Sequence, residues 1–326
     1  MSDSRLREFA ALALLVAVIS VSAMGQTYEV AHGWPVLPDG YVLGQVSGVA
    51  VDSHNHVFVF HRAEGSWATD KTKPIASATI LCFEGASGKL VASWGENLFL
   101  EPHGLRVDRD DNVWVTDRGL QQVFKFSHDG KLLLTLGTAR AAGVDAKHFD
   151  KPTDIAFAAD GGVYISDGYG NNRVAKFSND GKFQFEWGRK GTGPGEFDLP
   201  HSVAVDKNGL VYVADRSNAR IQVFDANGKF LKVWKSAELG RPWTLTVGPD
   251  NLLYEVDGGD LKPTPPDRGQ ILKLDLDGNI LAKWSRFGNY DGQIYWGHAI
   301  SVGKDGAVYV GDVYHGMRVQ KFVAKP

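Results

Sequence analysis

Six stretches of this 326-residue chain align over 16 residues without a gap, and that repetition constrains the fold more than any other feature. They are SGVAVDSHNHVFVFHR from Ser47, HGLRVDRDDNVWVTDR from His103, TDIAFAADGGVYISDG from Thr153, HSVAVDKNGLVYVADR from His201, WTLTVGPDNLLYEVDG from Trp243 and HAISVGKDGAVYVGDV from His298. Each reads as a short alternating strand, a turn of Asp, Asn and Gly, and a second apolar strand. Third and fourth strands follow in QVFKFSHDGKLLLTLG, RVAKFSNDGKFQFEWG, IQVFDANGKFLKVW and, after a longer insertion, ILKLDLDGNILAKWS. A period of roughly 40–55 residues with four strands per unit marks a β-propeller blade. The predicted fold is therefore all-β, a single six-bladed propeller over residues 26–326, with blades starting near 47, 103, 153, 201, 243 and 298. The sixth copy stops at VQKF, three strands in, while YEVAHGWPV near Thr27 has no unit of its own. That N-terminal strand is expected to complete the sixth blade and close the ring, which removes open sheet edges. The longest insertions, from Ala63 to about Ser77 and from Gly258 to about Gly269, are placed to cover one face.

Residues 1–25 read as a secretory signal. Arg5 and Arg7 precede an apolar run from Phe9 to about Val21, and Ala23-Met24-Gly25 supplies small residues before a cleavage point at Gln26. The competing reading is a retained anchor, but the run is short for a bilayer, which takes about 20 residues. The expectation is an exported protein that leaves the membrane after cleavage. With 35 Lys+Arg against 38 Asp+Glu, the formal net charge is -3, which argues against a nucleic-acid partner. A single cysteine, Cys82, excludes an intramolecular disulfide framework and a cysteine-based zinc cluster, and reads as a buried small hydrophobe. The Gly-rich GTGPGEFDLPH at Gly191 lies between blades, not between a strand and a helix, so it is no dinucleotide loop. DRDDN at Asp108 is a hairpin turn.

The chemistry lies in two columns of the repeat. Its first position holds Ser47, His103, Thr153, His201, Trp243 and His298, so histidine recurs on alternate blades. The innermost strand of every blade lines the axis, and equivalent positions share one height. His103, His201 and His298 should therefore converge with approximate threefold symmetry, leaving an open fourth position as catalytic zinc requires. A metal-free structural role for a repeated histidine is the alternative. The second column, 15 residues on, holds Arg62, Arg118, Gly168, Arg216, Gly258 and Val313, with Tyr169 directly after Gly168. The hairpin should bring it back to the height of the histidines. Arginines there suit a carboxylate, and a tyrosine beside cations could act as a base. Asp117, Asp215 and Asp312 read as carboxylates that anchor the hairpins.

VSGVAVD with FVFHR, PHGL with VWVTD, HF-x-x-PTD with SDGY-x-N-x-R, PHSVAV with ADR-x-x-x-R-I-Q, and GHAI with VYVGD resemble the lyase domain of peptidylglycine alpha-amidating enzymes, a six-bladed propeller of NHL-type repeats. The resemblance runs from about Gly44 to Phe322. It implies zinc on His103, His201 and His298, a catalytic Tyr169, and functional arginines at Arg62 and Arg216. The implied reaction splits a peptide ending in alpha-hydroxyglycine, or a related alpha-hydroxy amide, into an amide and glyoxylate. Tyr169 as phenolate would take the hydroxyl proton, while Arg216 and Arg62 would neutralise the carboxylate and hold the tyrosine. A structural calcium on the backbone carbonyls of Val49 and Leu105 is also implied, but Ala299 stands where its aspartate belongs. The family's disulfide positions fall on Asp150 with Gly170 and on Tyr212 with Val223. The chain carries no copper-monooxygenase domain that would make hydroxyglycine, so a different alpha-hydroxy amide is expected as an alternative substrate. A monomer is expected. Two other readings stay open: a non-catalytic propeller binding a protein or glycan partner, and a propeller hydrolase such as a lactonase.

Overall fold

In a computed structural model, which describes residues 26–66, 71–260 and 267–325, the chain forms six four-stranded antiparallel sheets. The secretory segment proposed for residues 1–25 and parts of both long insertions lie outside the described residues. The innermost strands are Val46–Val51, Pro102–Val107, Pro152–Phe157, Pro200–Val205, Pro242–Val247 and Gly297–Val302. Each pairs with the next strand in the chain, and the apolar alternation seen in the sequence faces the neighbouring blades. The ring closes as the sequence predicts: Tyr28–Val30 pairs with Arg318–Ala324, with Tyr28 opposite Ala324 and Val30 opposite Phe322. The sixth sheet thus takes its outer strand from the start of the domain and three strands from its end.

The buried apolar side chains form clusters that each draw on two adjacent blades. Phe58, Phe60 and Ile80 of the first blade pack with Leu105, Val113 and Phe126 of the second, and Ala299 and Tyr309 of the sixth pack with Val46 and Val59 of the first. Each blade's apolar face is therefore buried against its neighbours around the ring. Cys82 is buried in the cluster between the first two blades, and desolvation pushes its thiol up to about 12. Tryptophans ending the outer strands pack on the turn glycine of the next blade. Gly228 has φ +78°, and a Cβ there would lie 2.7 Å from the Trp187 ring. Gly278 meets Trp234 in the same way.

Every first hairpin carries one irregularity. The register slips between Val46 and Gly48, Pro102 and Leu105, Pro152 and Asp154, Pro200 and Ser202, Pro242 and Thr244, and Gly297 and Ala299. The position inside each slip is the first column of the repeat. A β-bulge re-aims the side chain it carries, and on the second, fourth and sixth blades the side chain so placed is a histidine that reaches the axis.

Candidate metal and acid-base centre

The three histidines of the first column meet at the axis. Ring centroids are 5.0 Å apart for His103 and His201, 4.5 Å for His103 and His298, and 4.8 Å for His201 and His298. All are buried, and one nitrogen from each lies within 4.8 Å of the others. Their outer nitrogens are held by one rule. Nδ1 of His103 lies 2.7 Å from the Thr153 carbonyl, Nδ1 of His201 2.5 Å from that of Trp243, and Nδ1 of His298 2.8 Å from that of Ser47. Each acceptor is the first-column residue of the following blade, so the column orients itself around the ring. A carbonyl only accepts, so Nδ1 carries the proton and Nε2 presents its lone pair. Burial, then neighbouring positive charge, pushes His103 well below the usual imidazole range, and the same holds for His201 and His298. Three neutral imidazoles, locked in one tautomer by backbone carbonyls, are the donor set of a three-histidine zinc centre with an open position. The residues present fit zinc.

The second column returns to this height because its backbone N–H groups bond to the segment just before the first column: Arg62 to Gln45, Arg118 to Glu101, Arg216 to Leu199 and Val313 to Trp296. Buried aspartates fasten the same joint. Asp117 accepts N–H bonds from Leu100, Glu101 and Leu120, Asp215 accepts from Asp198, and Asp312 accepts from Tyr295 and Trp296, which is the anchoring role read from the sequence.

Half-buried Tyr169 reaches over the histidines. Its hydroxyl lies 3.1 Å from His201 Nε2 and 3.4 Å from His103 Nε2, and Arg216 Nη1 donates to it at 3.2 Å. Arg216 in turn stacks on Trp243, 3.7 Å from the ring centroid, and is buried, which lowers its pKa. Arg62 is buried in the same wall but is oriented by other groups: Nε donates to the Pro102 carbonyl and Nη1 to Gln45 Oε1. Desolvation pushes it down to about 10, so it stays cationic at neutral pH.

Two participants were not singled out from the sequence. Arg118 lies 3.7 Å over the Tyr169 ring and pairs with Glu101 at 3.2 Å, and Trp243 braces Arg216. Both sit in the repeat columns that carry Arg62 and the histidines, so the signal was the column itself. The described ends of both long insertions rest on this face, where Lys71 lies 4.0 Å from Glu101 and Trp296 Nε1 donates to Asp267 at 3.3 Å.

The residues present do not fit the implied calcium. Val49 and Leu105 lie buried on the innermost strands, below the histidines. Ala299 brings no side-chain carboxylate, and the Arg106 guanidinium lies in the same part of the channel, bonded to the Ile300 and Leu245 carbonyls. The implied disulfide positions are adjacent without sulfur: Gly170 N–H bonds to the Asp150 carbonyl, and Tyr212 faces Val223 across two strands.

Comparison with known proteins agrees with this architecture. The NHL repeat family matches residues 99–126, 149–177 and 197–224. The chain is 39% identical over 304 residues to peptidyl-glycine alpha-amidating monooxygenase B of Xenopus laevis, covering 86% of itself and 34% of that protein. It thus spans about a third of the length of that relative. It is 32% identical over 321 residues to peptidyl-alpha-hydroxyglycine alpha-amidating lyase 2 of Drosophila melanogaster, covering 90% of itself and 74% of the relative. Among solved structures, a streptogramin B lyase aligns with TM-score 0.59 at 14% identity, over 93% of this chain and 99% of that one. A Xanthomonas campestris gluconolactonase aligns with TM-score 0.62 at 13% identity, over 87% of each chain. These two likenesses concern the fold alone. On the match to the Drosophila lyase, which covers most of both chains, with the six NHL-type blades around three histidines and a tyrosine, the chain belongs to the peptidyl-alpha-hydroxyglycine alpha-amidating lyase family of enzymes.

Proposed function

We propose that this centre binds zinc on His103, His201 and His298 and cleaves the C–N bond of a peptide ending in alpha-hydroxyglycine, releasing the peptide amide and glyoxylate. The observation that carries the reading is the Tyr169 hydroxyl, held by Arg216 within 3.4 Å of two imidazole Nε2 atoms whose tautomers are set by backbone carbonyls. Zinc, when bound, supplies Lewis-acid polarisation of an oxygen.

The chain's own groups do the rest. Tyr169, as phenolate, stands as the base that takes the proton of the hydroxyl group on the alpha carbon. As the carbonyl of glyoxylate forms, the C–N bond breaks and the amide nitrogen receives the proton that Tyr169 took, so atoms and charge balance. Arg216 and Arg118, one bonded to the phenol oxygen and the other stacked on its ring, offset the negative charge that oxygen carries before it takes the proton. Arg62 and Arg216 face the same space and suit the glycine carboxylate. Burial of these groups keeps water from competing for them. A related alpha-hydroxy amide meets the same demands.

The domain is proposed to work outside the cytoplasm as a monomer, with residues 1–25 removed. The test is zinc content of the purified protein by elemental analysis, with glyoxylate release from an alpha-hydroxyglycine peptide measured on the same sample. About one zinc per chain with turnover supports the reading; absence of zinc after zinc is offered, or of turnover in the zinc-loaded protein, refutes the corresponding half.

A further inference from the structure

Below the histidines, the innermost strands set out further rings of equivalent positions. One residue on, the ring reads Gly48, Gly104, Asp154, Ser202, Thr244 and Ala299; three residues on, it reads Ala50, Arg106, Ala156, Ala204, Thr246 and Ser301. Each ring holds one charged residue, and the two meet. Arg106 of the second blade donates from Nε and Nη2 to the two oxygens of Asp154 on the third blade, at 2.9 and 2.6 Å. It continues across the channel, where Nη1 donates to the Ile300 carbonyl of the sixth blade at 3.0 Å and Nη2 to the Leu245 carbonyl of the fifth at 2.7 Å. Ser202 of the fourth blade donates to the same Asp154 carboxylate. One guanidinium thereby joins five blades, directly or through Asp154.

The Ile300 and Leu245 carbonyls belong to the ring of positions that also contains Val49 and Leu105, the implied calcium ligands. The carboxylate that calcium would need is missing at Ala299 in the sixth blade, and the same ring supplies one at Asp154, three blades away. We propose that the Arg106 guanidinium is a built-in cation that does the structural work of calcium, so that this chain closes its channel and aligns its histidines without that ion. Calcium takes 6–8 oxygen ligands at roughly 2.3–2.6 Å. Here it would have to compete with a guanidinium for two carbonyls and a carboxylate, against that cation's repulsion. The space between the histidines and Arg106 is about 10 Å³, on the order of one water molecule. A bidentate arginine–carboxylate pair carries its own charge balance and is permanently bound.

The arrangement makes Arg106 a positioning residue for the metal centre. Asp154 follows Thr153, whose carbonyl holds His103; Leu245 lies two residues past Trp243, whose carbonyl holds His201; Ile300 lies two residues past His298. The proposal is independent of which reaction the centre performs, because its readouts are calcium content, melting temperature and zinc affinity.

The test starts with the purified native protein, exchanged through calcium-containing and then metal-free buffer. Calcium should stay below about 0.1 per chain, and 1 mM calcium should leave the melting temperature unchanged to within about 1 °C. Arg106→Ala should lower the melting temperature and weaken zinc binding about tenfold or more, the scale of losing an outer-shell partner. Arg106→Lys should recover part of both. The double variant Arg106→Ala, Ala299→Asp should gain a calcium-dependent rise in melting temperature of about 2 °C or more. About one retained calcium per native chain, or such a rise in the native protein, overturns the proposal, as does Arg106→Ala with unchanged melting and zinc affinity. If Arg106→Ala does not fold, the native calcium content and melting shift decide the question alone.

Discussion

Replacing Tyr169 by phenylalanine removes one oxygen and leaves the ring that Arg118 covers at 3.7 Å. That oxygen has an Arg216 donor at 3.2 Å and imidazole nitrogens of His201 and His103 at 3.1 and 3.4 Å. None of these groups depends on it for its own placement: Arg216 still stacks on Trp243, and the histidines are held from behind by the Trp243 and Thr153 carbonyls. The stability cost should therefore be that of one half-buried hydrogen-bonding group, about 1 kcal/mol. The rate should suffer far more. Loss of a positioned base costs about 10²–10⁴-fold, or roughly 2.7–5.4 kcal/mol of barrier. The assay is glyoxylate release under saturating peptide, with zinc content and melting temperature from the same preparation. A rate within about threefold of the native protein, with zinc retained, would refute Tyr169 as the base.

Three further outcomes follow from the structure. His201→Ala takes away one of three imidazoles and should reduce zinc to well below one per chain after dialysis, with the propeller intact by circular dichroism; unchanged zinc content would remove the triad. Gly228→Ala puts a Cβ 2.7 Å from the Trp187 ring at φ +78° and should destabilise by roughly 1–3 kcal/mol in chemical denaturation with turnover per folded molecule unchanged. The Asp167 and Asp312 carboxyls are each pushed up to about 6, chiefly by burial, from the ordinary value of 3.8. The folded state then holds protons that the unfolded state has released, so their contribution is present below pH 4 and is lost as pH rises to about 6. Stability measured across that window should fall with pH, and the fall should be shallower in Asp312→Asn; an unchanged slope would show that this carboxyl is ionised in the folded protein.

Much of the molecule was legible in the chain because a repeat writes its own alignment. Strand pairing within a blade joins neighbours in sequence, so alternating apolar residues and turn glycines sufficed to mark the six units. The fragment at Thr27 could be matched to the missing strand because the sixth copy ends at VQKF. His103, His201 and His298 were legible because equivalent positions in a closed ring must share a height, and the second column was legible because a hairpin returns.

What the chain could not announce arises where different blades meet. The bulge that turns each first-column residue to the axis breaks the strict alternation from which strands are read. The carbonyls that set the histidine tautomers belong to the following blade, and His298 finds Ser47 across the closure of the ring. Arg118 was visible as a column member, but its place over the Tyr169 ring needed two blades to be packed together. Arg106 is a single arginine three residues past His103 on its strand, with nothing periodic to mark it. Its role exists only once Asp154, Leu245 and Ile300, far apart along the chain, are brought to one guanidinium. Local pattern determines the unit and the position of each residue within it, because strand pairing inside a blade joins near neighbours in sequence. Closure of the ring alone decides which residues of different units touch, because those contacts depend on the packing of every blade.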